Sequence, residues 1–140
     1  DPQIFPKVEF EAQIIRERLE VASYLHRGVR VTFEDETTGQ KDVYQHAEGL
    51  VDYLRKIVRD RNIKPVHEAP FTLEKENGVK LEVVLQWTEA TDENLRSYVN
   101  GIPTGSGGTH ENGLRAGLGK AVRNLERVFD CFSMTDGAYP

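Results

Sequence analysis

Two neighbouring features between residues 105 and 111 supply groups that could do chemistry. Gly105-Ser106-Gly107-Gly108-Thr109 runs into a predicted helix, and His110-Glu111 follows at once. Open backbone N–H groups and a helix N-terminus both favour negative charge, so this run could cradle an anion. The alternative is a plain loop in which Thr109 or Asn112 caps the helix. The Gly-Lys-Ser/Thr ending of a P-loop is missing, which excludes that kind of nucleotide site.

A general base, a metal site and a nucleophile are the other chemistries to consider. His110 beside Glu111 has the residue types for a base or a metal ligand, but zinc needs three or four ligands. The four histidines have no ligand spacing: His26, His46, His67 and His110. Cys131 is the single cysteine, so an internal disulfide is excluded, and a nucleophilic thiol would need a base nearby. We therefore expect no catalytic, cofactor-binding or metal-binding residue in this chain.

The last predicted helix carries a basic face. Its apolar positions group on one side at helical spacing: Leu114, Leu118, Ala121, Val122, Leu125 and Phe129. We place four cations, with Glu126 among them, on the opposite side: Arg115, Lys120, Arg123 and Arg127. Such a face could meet the phosphates of DNA. The alternative is a solvated face that complements the helix dipole.

The elements that must position these residues alternate between helical and strand patterns. We predict helices over residues 10–26, 49–62 and from about 114 to 129, because apolar residues recur there at helical spacing. Strands are predicted at residues 29–34, 41–46, 71–76, 79–88 and 94–100, with a loop at 101–108. Asn77-Gly78 is a strong hairpin signal, and the alternation of Leu81, Val83, Leu85 and Trp87 predicts that they face the core. The fold class is α+β, a mostly antiparallel sheet with helices packed on one face.

Composition is that of an ordinary globular chain. The chain has 140 residues, enough for one modest core, and 29% of them are charged. No window approaches the roughly 20 apolar residues of a membrane span. The net charge of −5 disfavours nucleic-acid binding by the whole surface. The start at Asp1-Pro2-Gln3 has no signal peptide and suggests a fragment, and the single cysteine fits a reducing cytoplasm.

Several motifs together resemble one known family. Leu85-Gln86-Trp87 is followed by Val99-Asn100-Gly101-Ile102-Pro103-Thr104 and then by Gly107-Gly108-Thr109-His110-x-x-Gly113. This order resembles the second, transducer domain of the B subunit of bacterial type IIA topoisomerases, DNA gyrase and topoisomerase IV. The resemblance extends over roughly residues 1–125 and includes Arg18-Leu19-Glu20 and Gly49-Leu50-Val51.

The resemblance implies a fold like that of ribosomal protein S5 domain 2. It implies that residues 1–26 are the end of the ATPase domain and a linking helix, and that residues 27–140 are the transducer. The implied role is to couple ATP binding and hydrolysis to movement of the DNA gate. The implied partners are DNA, the A subunit and a second copy through the ATPase domain, with no membrane. ATP and Mg²⁺ are then cofactors of the full-length protein only.

The resemblance also assigns residues. The family loop motif is carried by Gly107, Gly108, Thr109, His110 and Gly113, and the DNA-facing set would be Arg115, Lys120, Arg123 and Arg127. The family's ATP-site residues and its Gln-Thr-Lys loop have no match here, so we expect a short or divergent C-terminal part. Phe129, Cys131, Phe132 and Met134 are expected to cover a sheet edge or a dimer contact. The alternatives are a non-catalytic gyrase-B-like regulatory module and an independent phosphate-binding enzyme.

Overall fold

The computed structural model describes residue 4 and residues 10–135, the stretch 125–135 as helix backbone only. It divides at residue 93 into two compact units, residues 1–93 and 94–140. The first unit contains α1 (Ala12–Leu25), β1 (Arg30–Asp35), β2 (Gln40–Gln45), α2 (Leu50–Asp60), β3 (Phe71–Glu76) and β4 (Lys80–Leu85). The second contains β5 (Tyr98–Val99), β6 (Ile102–Pro103) and α3 (Thr109–Thr135). The α+β class is as predicted.

The strands pair antiparallel, as predicted, but the described ones form three separate two-stranded ribbons: β1–β2, β3–β4 and β5–β6. In the first ribbon Arg30 lies opposite Gln45 and Asp35 opposite Gln40. In the second, Glu76 lies opposite Lys80, so the hairpin signal at Asn77-Gly78 becomes a three-residue connection. Strand β4 therefore begins one residue later than predicted.

The first unit buries aromatic rings where its two helices meet. Tyr24 of α1 and Tyr53 of α2 are 5% and 6% exposed, and their stacked rings have centroids 4.9 Å apart. Tyr24 also stacks on His46, just after β2, at 3.6 Å. Burial raises the pKa of the Tyr24 hydroxyl, and the neighbouring Glu20 raises it further. These stacked rings join α1, α2 and the first ribbon. The apolar residues that recur at helical spacing along α2 are half-buried: Leu50, Leu54, Ile57 and Val58.

The second ribbon corrects one prediction about the core. Trp87 and Leu81 are 52% and 44% exposed, although their alternation predicted that they face inward. Phe71 and Leu73, on the same face of the ribbon, are 52% and 41% exposed. Val83 and Leu85, the other two residues of the alternating set, are half-buried. Within the described residues of the first unit this face is therefore only partly covered.

The second unit corrects two element boundaries. The strand predicted at 94–100 is reduced to Tyr98–Val99, because the chain reverses at residues 100 and 101. Helix α3 begins at Thr109, earlier than predicted, and its backbone continues through Thr135. The side chains of Phe129, Cys131, Phe132 and Met134, expected to cover an edge or a dimer contact, lie outside the described residues.

No helix among the described residues has the length and apolar character needed to cross a membrane.

Gly49 sits at a tight junction ahead of α2. Its φ of +58° and ψ of −117° belong to backbone that side chains disfavour. A Cβ added there would lie 3.2 Å from the Tyr24 carbonyl oxygen and 3.3 Å from Arg27 Cβ. The approach of α2 to the end of α1 therefore depends on a residue without a side chain.

We expect Gly49→Ala to lower the free energy of unfolding by about 2–4 kcal/mol, since strain and a steric contact add. Urea denaturation of the purified chain measures this loss. Gly39→Ala is the matched control: its φ is +69°, but a Cβ there meets nothing within 4 Å. That variant should lose only about 1–2 kcal/mol. Equal losses in the two variants would contradict the close approach at Gly49.

Candidate functional site

The β5–β6 ribbon is closed by a two-residue turn at Asn100-Gly101. Both residues have positive φ, +50° and +79°, and Val99 lies opposite Ile102 on either side of them. Two positive φ values at Asn-Gly are the signature of a type I′ turn, whose twist matches that of the strands. The turn brings Ser97 beside Thr104, and the Thr104 N–H donates to the Ser97 carbonyl oxygen at 2.9 Å.

The glycine-rich loop carries the chain from β6 into α3. Gly107 has a φ of +74°, and its N–H donates to the Thr104 carbonyl oxygen at 2.9 Å. The Asn112 N–H donates to the Gly108 carbonyl oxygen at 3.2 Å, so Gly108 occupies the N-cap position. Thr109 is the first helical residue and Asn112 lies inside the helix. Neither residue is therefore at the cap position that the sequence suggested for one of them.

Three side chains tie this ribbon to the first turn of α3, and we call Ser97, Thr104 and Glu111 the clasp. The Ser97 hydroxyl donates to Glu111 Oε1 and also lies within hydrogen-bond distance of the Thr104 hydroxyl. Thr104 Oγ1 is 3.4 Å from the same Glu111 oxygen. Since the single Ser97 proton goes to the carboxylate, Thr104 can act as the donor to Ser97 Oγ. The clasp joins residues 97, 104 and 111 of the chain into one polar cluster.

Glu111 is ionised and well partnered in the clasp. Its side chain is only 12% exposed, and Arg115 Nη1 lies 3.4 Å from Oε2, one helical turn away. The hydrogen bond from Ser97 lowers the pKa of the Glu111 carboxyl most, and the charges of Arg115 and His110 lower it further against an opposing effect of burial. A carboxylate near the start of a helix is also favoured by the helix dipole.

His110 of the loop motif folds back over Gly108. A Cβ on Gly108 would lie 2.7 Å from His110 Cε1, so a side chain at residue 108 would displace the exposed ring from this position. His110 Nε2 lies 3.3 Å from Thr104 Oγ1, which places the imidazole at the edge of the clasp. No group of three or more His, Cys, Asp or Glu side chains in the described part of the chain could hold a metal ion.

The geometry of the loop bears on the anion-cradle interpretation. A Cβ on Gly107 would lie 3.4 Å from Glu111 Oε2, so a carboxylate already sits beside the glycine run. An incoming phosphate would meet this negative charge, which costs electrostatic energy. The loop therefore suits holding its own helix better than holding a bound anion. Gly113, the last motif residue, lies on α3 with open space around it.

The four predicted DNA-facing cations are not equivalent. Arg115 pairs with Glu111 and lines the pocket beside the clasp together with Arg96 and Ser97. Lys120 and Arg123 are exposed, and the Arg123 guanidinium lies back along the helix, 3.4 Å from the position of a Gly119 Cβ. The Arg127 side chain lies outside the described residues. The pairing of Ser97 with Glu111 was missed because residues 14 apart show no spacing signal, and Glu111 was considered only beside His110.

Replacing Ser97 by Ala should raise the pKa of Glu111 towards the ordinary glutamate value of about 4.3. Because the folded pKa is depressed, the contribution to stability is present above the ordinary value and is lost as pH falls through the folded pKa. Ser97→Ala should therefore flatten the pH dependence of unfolding in the acid range. NMR titration of the Glu111 carboxyl and urea unfolding at pH 3 and pH 7 measure both effects.

Ser106→Ala is the matched control, since Ser106 is an exposed serine of the same loop. It should leave the titration of Glu111 unchanged. An unaltered Glu111 pKa in Ser97→Ala would show that the clasp does not hold the carboxylate.

Comparisons with known proteins identify relatives of this chain. The family model described as DNA gyrase B matches residues 49–130. The B subunit of DNA gyrase from Archaeoglobus fulgidus is 36% identical over 122 residues, which cover 87% of this chain and 19% of the relative. The B subunit of DNA topoisomerase 4 from Mycoplasma pneumoniae is 33% identical over 137 residues, covering 97% and 21%. The chain spans about a fifth of the length of these relatives.

Solved structures show the same fold. The 43K ATPase domain of Thermus thermophilus gyrase B, in complex with an aminocoumarin, matches with a TM-score of 0.79 at 26% identity. That match covers 94% of this chain and 36% of the other. The B subunit of the DNA gyrase from Myxococcus xanthus matches with the same TM-score at 25% identity, covering 89% and 36%. The chain belongs to the DNA gyrase B family, and its matched region, residues 49–130, is that family's transducer domain.

Proposed function

We propose that this chain is the transducer part of the B subunit of an ATP-dependent type II DNA topoisomerase. It couples ATP binding and hydrolysis elsewhere in that subunit to movement of the DNA gate. Family membership supports the proposal. The structural observation that carries it is the clasp, which fastens a short ribbon to the start of a long helix through Ser97, Thr104 and Glu111.

A part that passes on movement must not deform where its elements join. The β5–β6 ribbon has two pairs of residues, too few to be stable by itself. The clasp replaces the missing packing with directional bonds, and the Glu111 carboxylate accepts from both Ser97 and Arg115. Hydrogen bonds to charged groups are about twice as strong as neutral ones, so the ribbon and α3 move as one body.

The proposed setting follows from the family. ATP and Mg²⁺ serve the full-length protein, DNA and the A subunit are partners, and the working unit is a dimer in the cytoplasm. In this proposal the chain supplies no catalytic group. DNA reaches the exposed cations of α3, Lys120 and Arg123, with Arg127 as the next in line.

The test uses the longest protein that the gene encodes. We expect ATP hydrolysis that is stimulated by DNA in the presence of an A subunit, and ATP-dependent change of DNA linking number. The variant Glu111→Ala should keep ATP hydrolysis, but the change in DNA linking number for each ATP hydrolysed should fall about fivefold. An effect of this size is typical of the coupling between two sites of one protein. Asn112→Ala, at the exposed neighbouring position, is the control and should behave as the wild type.

A folded wild-type protein without DNA-stimulated turnover would refute this function. It would leave the non-catalytic regulatory module, which predicts binding to intact B subunits in place of turnover. If Glu111→Ala lost both ATP hydrolysis and the change in DNA linking number, this would argue against a coupling role for the clasp.

The cations of α3 generate a separate prediction. Replacing both Lys120 and Arg123 by Ala should weaken DNA binding equally across sequences. It should reduce the slope of log affinity against log salt by about 2, since each phosphate contact contributes about one. Fluorescence anisotropy with duplex DNA at several salt concentrations measures this slope.

The matched control replaces Lys41 and Lys64, two exposed lysines of the first unit that pair with Glu34 and Glu89. It removes the same charge from the chain and should leave the slope unchanged. Equal changes in the two double variants would show that only net charge matters.

A further inference from the structure

Arg16 reaches from α1 to the first ribbon. Its Nε donates to Asp42 Oδ2 of β2 at 2.8 Å, and its guanidinium carbon lies 5.5 Å from the centre of the Phe33 ring of β1. The Arg16 side chain is only 17% exposed, and Asp42 is 23% exposed. The helix is therefore held on the ribbon by a half-buried, charge-assisted hydrogen bond and a cation–π contact.

Another nitrogen of the same guanidinium, Nη2, makes no hydrogen bond within the described part of the chain. Arg16 Nη2 is buried and has no hydrogen-bond partner among the described residues. It points towards Asp35 Oδ2 at 3.7 Å, beyond the range of a hydrogen bond. Closing this gap to about 2.9 Å needs a shift of less than about 1 Å. A buried donor without a partner is costly, so such a shift is favoured whenever the helix is free to make it.

Asp35 is held in place as a possible acceptor for Arg16 Nη2. The N–H and hydroxyl of Thr37 donate to Asp35 Oδ1 at 3.0 and 2.5 Å, inside the turn that joins β1 to β2. These bonds lower the pKa of the Asp35 carboxyl, so the acceptor is ionised at neutral pH. A guanidinium bridging Asp42 and Asp35 would be a second arrangement of Arg16, beside the observed one on Asp42 alone.

We infer that Arg16 is a positioning residue whose movement between these two arrangements transmits a displacement of α1 to the β1–β2 ribbon. The inference rests on the proposed function and on the resemblance that makes residues 1–26, which include α1, the link from the ATPase domain to the transducer. A small displacement of a helix becomes a switch between two states when its contact has two arrangements, because packed interfaces do not deform continuously. The rings of Tyr24 and Tyr53 at the other end of α1 then act as the pivot.

The experiment compares Arg16→Met and Arg18→Met in the full-length protein with an A subunit. Methionine keeps the aliphatic stem but removes the charge, and Arg18 is an exposed arginine of the same helix. We expect Arg16→Met to keep DNA-stimulated ATP hydrolysis within about twofold while linking-number change per ATP falls about fivefold. Arg18→Met should match the wild type in both measurements.

A second readout does not depend on activity. Amide hydrogen exchange of α1 should become about tenfold faster in Arg16→Met and stay unchanged in Arg18→Met. Adding Asp42→Asn to Arg16→Met should have no further effect, because the two residues act through one contact. Arg16→Lys keeps the charge but not the forked geometry of the guanidinium. Compared with Arg16→Met, it should restore the protection of α1 amides from exchange more fully than the linking-number change per ATP.

The outcomes separate this inference from the proposed function. If the wild-type complex shows no DNA-stimulated turnover, the proposed function fails, the coupling role of Arg16 fails with it, and exchange alone decides whether Arg16 holds α1. If the wild type is active and Arg16→Met couples normally, the inference is wrong while the proposed function stands. Unchanged exchange in Arg16→Met would also overturn it.

Discussion

A ribbon of two strands cannot bury its own apolar side, and the arrangement of this chain depends on that constraint. Each described ribbon is stabilised by a helix or left open. The first ribbon is held by α1 through Arg16 and the Tyr24–His46 stack. Helix α2 packs against β4 of the second ribbon, where Phe71, Leu81 and Trp87 stay exposed. The clasp fastens the third ribbon to α3.

Local sequence patterns predicted the elements better than their contacts. Helical periodicity located α1 and α2 within two residues at each end, because it depends only on the spacing of apolar side chains. The same signal, Asn-Gly, was recognised at residues 77–78 and overlooked at 100–101, where it forms the tighter turn. The strand predicted across that turn was therefore too long. Exposure of Trp87 was not predictable, because alternation does not reveal what covers a face.

The candidate site shows where sequence reasoning ends. The motif Gly107-Gly108-Thr109-His110 drew attention to this loop through its resemblance to a family. The hydrogen bond that holds that loop joins Ser97 to Glu111, and these are two common residue types whose pairing no sequence motif indicates. Their partnership depends on the turn at residues 100 and 101, which folds one beside the other. Placing the cations of α3 by helical angle likewise did not reveal that Arg115, which is exposed like Lys120 and Arg123, pairs with Glu111.

The polar nature of the clasp has a thermodynamic consequence. Opening a joint made of hydroxyl and carboxylate groups exposes little apolar surface, so the heat-capacity change of opening is small. Apolar contacts weaken on cooling, whereas a joint of this kind keeps nearly the same balance of enthalpy and entropy over the physiological range. Transmission through α3 would then vary with temperature less than the stability of the aromatic junction between α1 and α2.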